Sequence, residues 1–259
     1  MEIAVSLLDC KDRVKSVLNL NKTNIGYCHI DVMDGNFVPN NQFEDIKEIV
    51  NINSVANYPL DVHLMVENPI DYIKKLGHMN IEFITIHLEI DIDKMEVFKS
   101  IRNLGYKVGL SIKPKTSIKE LEPYLDDIDL ILVMSVEPGI GGQKFIEETV
   151  DRIKELKELI NKCGRNILIE VDGGVNKETI TKLDGVDIAV VGSYITKSDD
   201  YCKSVNELFV SKEVDACEII MDDNIVSCKI KEKQILYSAL LGISILGFIV
   251  LIFMAIFIG

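Results

Sequence analysis

Eight times along this chain a short run rich in Val, Ile and Leu gives way to a longer, charge-bearing stretch. The runs fall at 3–8, 27–33, 60–66, 83–89, 107–112, 130–136, 167–172 and 188–193. Apolar runs of this length suit strands buried on both faces, and stretches such as 69–78 and 144–163 carry the period of amphipathic helices. Each helical crossover returns the chain to the same end of the sheet, so strand–helix repeats give parallel strands. Eight repeats predict a closed (β/α)8 TIM barrel over residues 1–210. The alternative is an open, doubly wound sheet. The segment after the first run, Ser6-Leu7-Leu8-Asp9-Cys10-Lys11-Asp12, lacks the glycine-rich turn that such a sheet places there.

The last 49 residues read differently. Residues 211–234 are acidic and then basic without a clear period, and they read as a linker with some strand character at 218–221. From Ile235 to Gly259 there are 25 residues without a charge. As a helix they would extend about 37 Å, enough to cross a hydrocarbon core of about 30 Å. A helix packed on a barrel would show one apolar stripe, whereas this segment is apolar all round. A single transmembrane helix is therefore expected. Lys229, Lys231 and Lys233 precede it, which favours a C-terminal anchor with the catalytic domain in the cytoplasm. The first residues lack the basic segment and long apolar core of a secretory signal, so export is not expected. The six cysteines form no CxxC pair and read as free thiols.

With 28 Lys+Arg against 41 Asp+Glu, the net charge of −13 repels nucleic acid, which is set aside as a partner. An anionic substrate would have to be held by local backbone donors. In a barrel the chemistry sits at the C-terminal ends of the strands, and polar residues collect there in this sequence. Alternation places His29, Asp31 and Met33 on one face of the second run and His63 and Met65 on one face of the third, while the seventh ends in Asp172-Gly173-Gly174. Taken singly, a strand-end histidine is an ordinary core residue and an Asp before Gly-Gly an ordinary turn. Together His29, Asp31, His63 and Asp172 make a mixed N/O donor set suited to one divalent ion, and Zn²⁺, Fe²⁺, Mn²⁺ and Co²⁺ all remain open.

Glycines form a second group: Gly139-Ile140-Gly141-Gly142 after the sixth run, Gly173-Gly174 after the seventh, and Gly192-Ser193 after the eighth. A lone GxGG is a flexible turn. Glycine sites after three consecutive late strands match the place where barrels of this kind hold phosphate.

The segment His29-Ile30-Asp31-Val32-Met33-Asp34-Gly35-Asn36-Phe37-Val38-Pro39-Asn40 resembles the signature of ribulose-phosphate 3-epimerases. Further stretches resemble that family in the same order: 61–66, 133–145, 171–175 and 191–193. The resemblance spans residues 3 to about 210. It implies an isomerase that interconverts D-ribulose 5-phosphate and D-xylulose 5-phosphate, with one divalent metal held by His29, Asp31, His63 and Asp172. Asp31 and Asp172 would exchange the proton through an enediolate. Ser6 and His63 would touch the sugar, while Gly139, Ile140, Gly141, Gly142, Asp172, Gly173, Gly174, Gly192 and Ser193 would surround the phosphate and neighbouring hydroxyls. Met33, Met65 and Met134 would line the metal site, and His87 would support it by a hydrogen bond. Self-association is expected by analogy with such barrels.

Val5, Asp9, Asn36 and Glu137 depart from the family pattern, as does the apolar tail. The competing readings are a hexulose-6-phosphate 3-epimerase, which would use the same residues on a longer sugar, and a membrane-anchored sugar-phosphate-binding protein without turnover.

Overall fold

The computed structural model describes residues 1–43, 46–215, 217–222 and 225–230, with side chains through residue 212. The elements are β1 (Glu2–Ser6), α1 (Arg13–Leu20), β2 (Tyr27–Asp34), β3 (Asn41–Gln42), α2 (Ile46–Val55), β4 (Leu60–Met65), α3 (Pro69–Leu76), β5 (Ile81–His87), α4 (Lys94–Asn103), β6 (Lys107–Ile112), β7 (Leu130–Met134), α5 (Thr149–Cys163), β8 (Leu168–Asp172), β9 (Ile188–Val191), α6 (Ser193–Thr196), α7 (Tyr201–Asp215), β10 (Cys217–Asp222) and β11 (Ile225–Ile230). Eight parallel strands run in the order β1-β9-β8-β7-β6-β5-β4-β2, and β1 pairs with β2 to close the ring. The short β3 lies antiparallel on the end of β2, a pairing that the sequence did not announce.

Local signals set the helix ends. Asp12 and Asp93 each accept a backbone N–H in the first turns of α1 and α4, and Pro69 opens α3, where no donor is needed. Gly164, in the left-handed region, stops α5. After β6 and β8 the crossovers carry 3-10 turns, at Ile118–Tyr124 and Ile180–Lys182. The first contains Pro123, which has no N–H to donate and so disfavours a regular helix.

Alternation divides each strand between two environments. Ile30 and Val32, Val62 and Leu64, and Ile131 and Val133 join the layer between strands and helices, with Leu156, Ile153 and Phe98 on the helix side. Facing inward, Ala4, Phe83, Leu130, Leu132, Ile188 and Val190 form a separate apolar cluster, with Tyr27 packed edge-on against Phe83. Fully burying one such Leu or Ile contributes about 1.5–3 kcal/mol. The remaining inward positions hold Met33, Met65 and Met134 and a set of polar residues, and the polar set is where the chemistry lies.

The chain divides into two compact units, Met1–Phe209 and the residues from Val210 onward. Within the span read as a linker, β10 and β11 form a two-stranded antiparallel sheet of their own. Among the described residues no helix is long and apolar enough to cross a membrane. Residues 235–259, where a transmembrane helix is expected, lie outside the described residues. The four cysteines whose side chains are described, Cys10, Cys28, Cys163 and Cys202, are free.

Candidate active site

Inward-facing residues stack in register across β2 and β4, polar at the first two levels and methionine at the third. His29 pairs with Asp61, Asp31 with His63, and Met33 with Met65. On β8 the same alternation gives Glu170 and then Asp172. One donor atom from each of His29, Asp31, His63 and Asp172 lies within 4.8 Å of all the others. Asp31 and Asp172 stand on strands separated by β1 and β9, so their carboxylates approach this centre from different directions.

Hydrogen bonds fix both imidazoles. His29 Nδ1 lies 2.5 Å from Asp61 Oδ2, which turns Nε2 toward Asp31 Oδ1 at 3.3 Å. That Nε2 is fully buried and has no hydrogen-bond partner. His63 Nε2 is 2.9 Å from His87 Nε2, and His87 Nδ1 is 3.1 Å from Glu89 Oε2. Burial lowers the His87 pKa to about 4, against the opposing pull of Glu89, so its ring is neutral with a single proton. If that proton sits on Nδ1 and points to Glu89, Nε2 must accept from His63 Nε2–H. His63 Nδ1, 3.3 Å from Asp31 Oδ1, is then a lone pair facing the same centre. Two imidazole lone pairs and two carboxylates make a donor set that fits a first-row divalent ion. Each imidazole is oriented by a further hydrogen bond, as metal ligands are.

The two aspartates are driven apart in acidity. Burial alone would raise Asp31, but His29 and His63 outweigh it and hold the carboxyl well below the usual carboxylate range. Ser6 Oγ adds a hydrogen bond to Asp31 Oδ2 at 2.7 Å. Asp172 is pushed up to about 6, by burial first and then by the charge of Asp31. Burial would lower His29, yet Asp31 and Asp61 raise it well above the ordinary value. Glu170, fully buried, is also raised, by burial and then by Asp61. His29, Asp61 and Glu170 also lie close enough for a metal, but they read as the support beneath the first group.

Above this floor opens a cavity of about 570 Å³, a size suited to a small ligand. Ser6, Asp31, Asp172, Gly139, Ile140, Gly141, Gly142, Gly173, Gly174, Gly192 and Ser193 line it, together with Met33, Met65 and Met134. His29 and His63 do not. Both are wholly buried beneath the floor, so His63, expected to touch the sugar, is not on the cavity wall. Asp9 and Glu137 line the cavity, Val5 faces the helix layer, and Asn36 lies outside the cavity with its N–H on Asp34 Oδ1.

The loops above the floor are braced. Asn40 Nδ2 donates to Gly139 O at 2.6 Å, and Gln143 Nε2 donates to the carbonyls of Glu137 and Ile140. Gly173 has φ +118° with Val136 against its Cα, a place that no larger residue fits. Ser135 Oγ donates to the carbonyls of Asp172 and Gly173, at 2.8 and 2.6 Å. Ser135, Asp61, Glu170 and Glu89 were not assigned roles from sequence. The signal for Asp61 and Glu170 was present: each is a charged residue two positions before a proposed ligand, on the same face of an otherwise apolar strand.

The model of the Ribulose-phosphate 3 epimerase family matches residues 2–196. Over 204 residues the chain is 38% identical to the ribulose-phosphate 3-epimerase of Helicobacter pylori, covering 77% of this chain and 93% of that protein. It is 39% identical over 187 residues to the ribulose-phosphate 3-epimerase of Bacillus subtilis, covering 71% and 86%. Among solved structures, KGPDC from Streptococcus mutans superposes with a TM-score of 0.58 at 13% identity, covering 82% of this chain and 97% of that one. 3-Hexulose-6-phosphate synthase from Salmonella typhimurium gives 0.55 at 17%, covering 83% and 100%. At these identities the structural likeness speaks to the fold alone.

Proposed function

The chain belongs to the ribulose-phosphate 3-epimerase family, and from that premise we propose that it interconverts D-ribulose 5-phosphate and D-xylulose 5-phosphate. The observation that carries the reading is the pair Asp31 and Asp172, brought close together at one cavity floor with Asp31 held well below the usual carboxylate range and Asp172 pushed up to about 6. Inverting a carbon beside a carbonyl requires a base on one face and an acid on the other. Asp31, ionised, removes the proton from carbon 3. Asp172, in its protonated form, returns one to the opposite face, and the roles exchange in the reverse direction; a pKa of about 6 lets it take up and release that proton near neutral pH. Environments that push two carboxyls apart in this way are how one site holds an acid and a base at the same pH.

The residues fit one divalent metal held by His29, Asp31, His63 and Asp172, whose identity among Zn²⁺, Fe²⁺, Mn²⁺ and Co²⁺ the donor set leaves open. When bound, it supplies positive charge beside the oxygens where negative charge develops. Ser6 holds Asp31 in place, and the methionines keep the floor apolar around the reacting carbon. The loops 139–142, 173–174 and 192–193 take the phosphate through their backbone.

The test is incubation with D-ribulose 5-phosphate in D₂O. Conversion to D-xylulose 5-phosphate with one solvent deuterium at carbon 3 supports the reading. Conversion of a hexulose 6-phosphate alone would move the assignment to a longer sugar, and binding of either without conversion would make this a binding protein.

For the tail, the proposal is a single-pass anchor at 235–259 that holds the barrel on the cytoplasmic face of a membrane. Its support is the 25-residue charge-free run behind Lys229, Lys231 and Lys233. Flotation of the full chain with liposomes, lost when the chain ends at Asp215, tests it. A homo-oligomer is proposed by analogy with related barrels, and sedimentation of the same truncated chain tests that.

A further inference from the structure

One carboxylate already sits on the glycine loop where the substrate's phosphate is placed. Asp9, just beyond β1, packs its carboxylate over Gly141 so closely that a Cβ there would lie 2.5 Å from Oδ1. Its Oδ2 accepts from Lys197 Nζ at 2.9 Å, at the end of α6. Both Oδ2 and Nζ lie 3.9 Å from where a Cβ of Gly142 would stand. All four residues line the one cavity that also holds Asp31 and Asp172. The loops after the first and last barrel strands are thus joined across the glycines by an ion pair.

We infer that Asp9 is a resident stand-in for the substrate's phosphate, and that binding exchanges it: Lys197 leaves Asp9 and pairs with the phosphate dianion. This rests on the reading of the cavity as a sugar-phosphate site. The exchange runs downhill for two reasons. The Lys197 side chain is 61% exposed, and an ion pair so open to water is weak. A phosphate carries more charge and more acceptor oxygens than a carboxylate, so the cation gains by the change of partner. In a chain of net charge −13 a lysine on the cavity wall also offsets a field that otherwise repels the substrate. Asp9 spends part of that attraction while the site is empty, so it makes binding weaker and more selective for dianions. The two residues therefore act on affinity in opposite directions.

The experiment measures inorganic phosphate binding by calorimetry on the full chain in detergent, together with KM and kcat for D-ribulose 5-phosphate. Lys197→Gln is expected to raise both the phosphate Kd and KM about tenfold, and Asp9→Asn to lower both about threefold to tenfold, with the changes falling on KM rather than kcat. Glu137→Gln removes a carboxylate from the same rim and controls for charge alone. It should move Kd less than twofold if position over the glycines is what matters. Equal effects of Asp9→Asn and Glu137→Gln, or a Kd unmoved by Lys197→Gln, would overturn the exchange. Phosphate binding is read without turnover, so the two readings fail separately. Opposite shifts in Kd without epimerisation would keep the exchange and retire the epimerase, whereas turnover with an unmoved Kd would do the reverse.

Discussion

His29 and Asp61 are joined by a 2.5 Å hydrogen bond in the barrel's closed interior, one register step below the carboxylate of Asp31. The bond fixes which nitrogen of His29 faces the metal site. Asp61→Asn keeps the shape and removes the charge, and metal affinity is expected to fall about 10- to 100-fold. Competition with a chelator for Zn²⁺ measures it. Unchanged affinity would show that the ring is positioned by packing alone.

Glu89 couples the site to acid stability. Burial would raise its pKa, but hydrogen bonds from His87, Thr116 and the Lys113 backbone hold it at about 2, below the ordinary 4.5. A carboxyl depressed by folding contributes stability that is complete above its unfolded pKa and is lost as the pH falls toward the folded value. The difference in Tm between the protein and Glu89→Gln should therefore be constant above about pH 5 and should close toward pH 2. A difference that does not depend on pH would contradict the assignment.

Gly173→Ala is expected to destabilise the barrel by at least about 1–3 kcal/mol from backbone strain, with crowding against Val136 added. Gly164→Ala, also at positive φ but with nothing within 4 Å of a new Cβ, should cost about 1–2 kcal/mol. Urea unfolding of the two variants compares them. Equal losses would mean that Val136 yields freely.

Most of the barrel was legible because each strand is buried on its helix side, which leaves an apolar run wherever a strand occurs. The weaker crossovers were not. Ile118–Tyr124 and Ile180–Lys182 are 3-10 turns, and residues 144–148, which share the period of α5, instead reach over the cavity through Lys144, Phe145 and Glu147. In the site, period-two alternation put His29 with Asp31 on one face of β2 and His63 on one face of β4, while Asp172 stood out as the last residue of β8. It did not give depth. Whether His63 meets the cavity or lies beneath it depends on how far each strand is staggered around the ring, which no single strand records. The opposed acidities of Asp31 and Asp172 arise from the charges that surround each, and they could be read only once β2, β4 and β8 were side by side.

The central claim is that Asp31 and Asp172 are the two proton-transfer groups of an epimerase. Turnover of D-ribulose 5-phosphate by the metal-loaded protein, beside Asp31→Asn and Asp172→Asn, tests it most directly. The account predicts conversion by the unmodified protein and a loss of at least about 10²- to 10⁴-fold in each variant, with the fold intact by circular dichroism. Either variant turning over at the unmodified rate, or no conversion by the unmodified protein with any of the four metals, would contradict it.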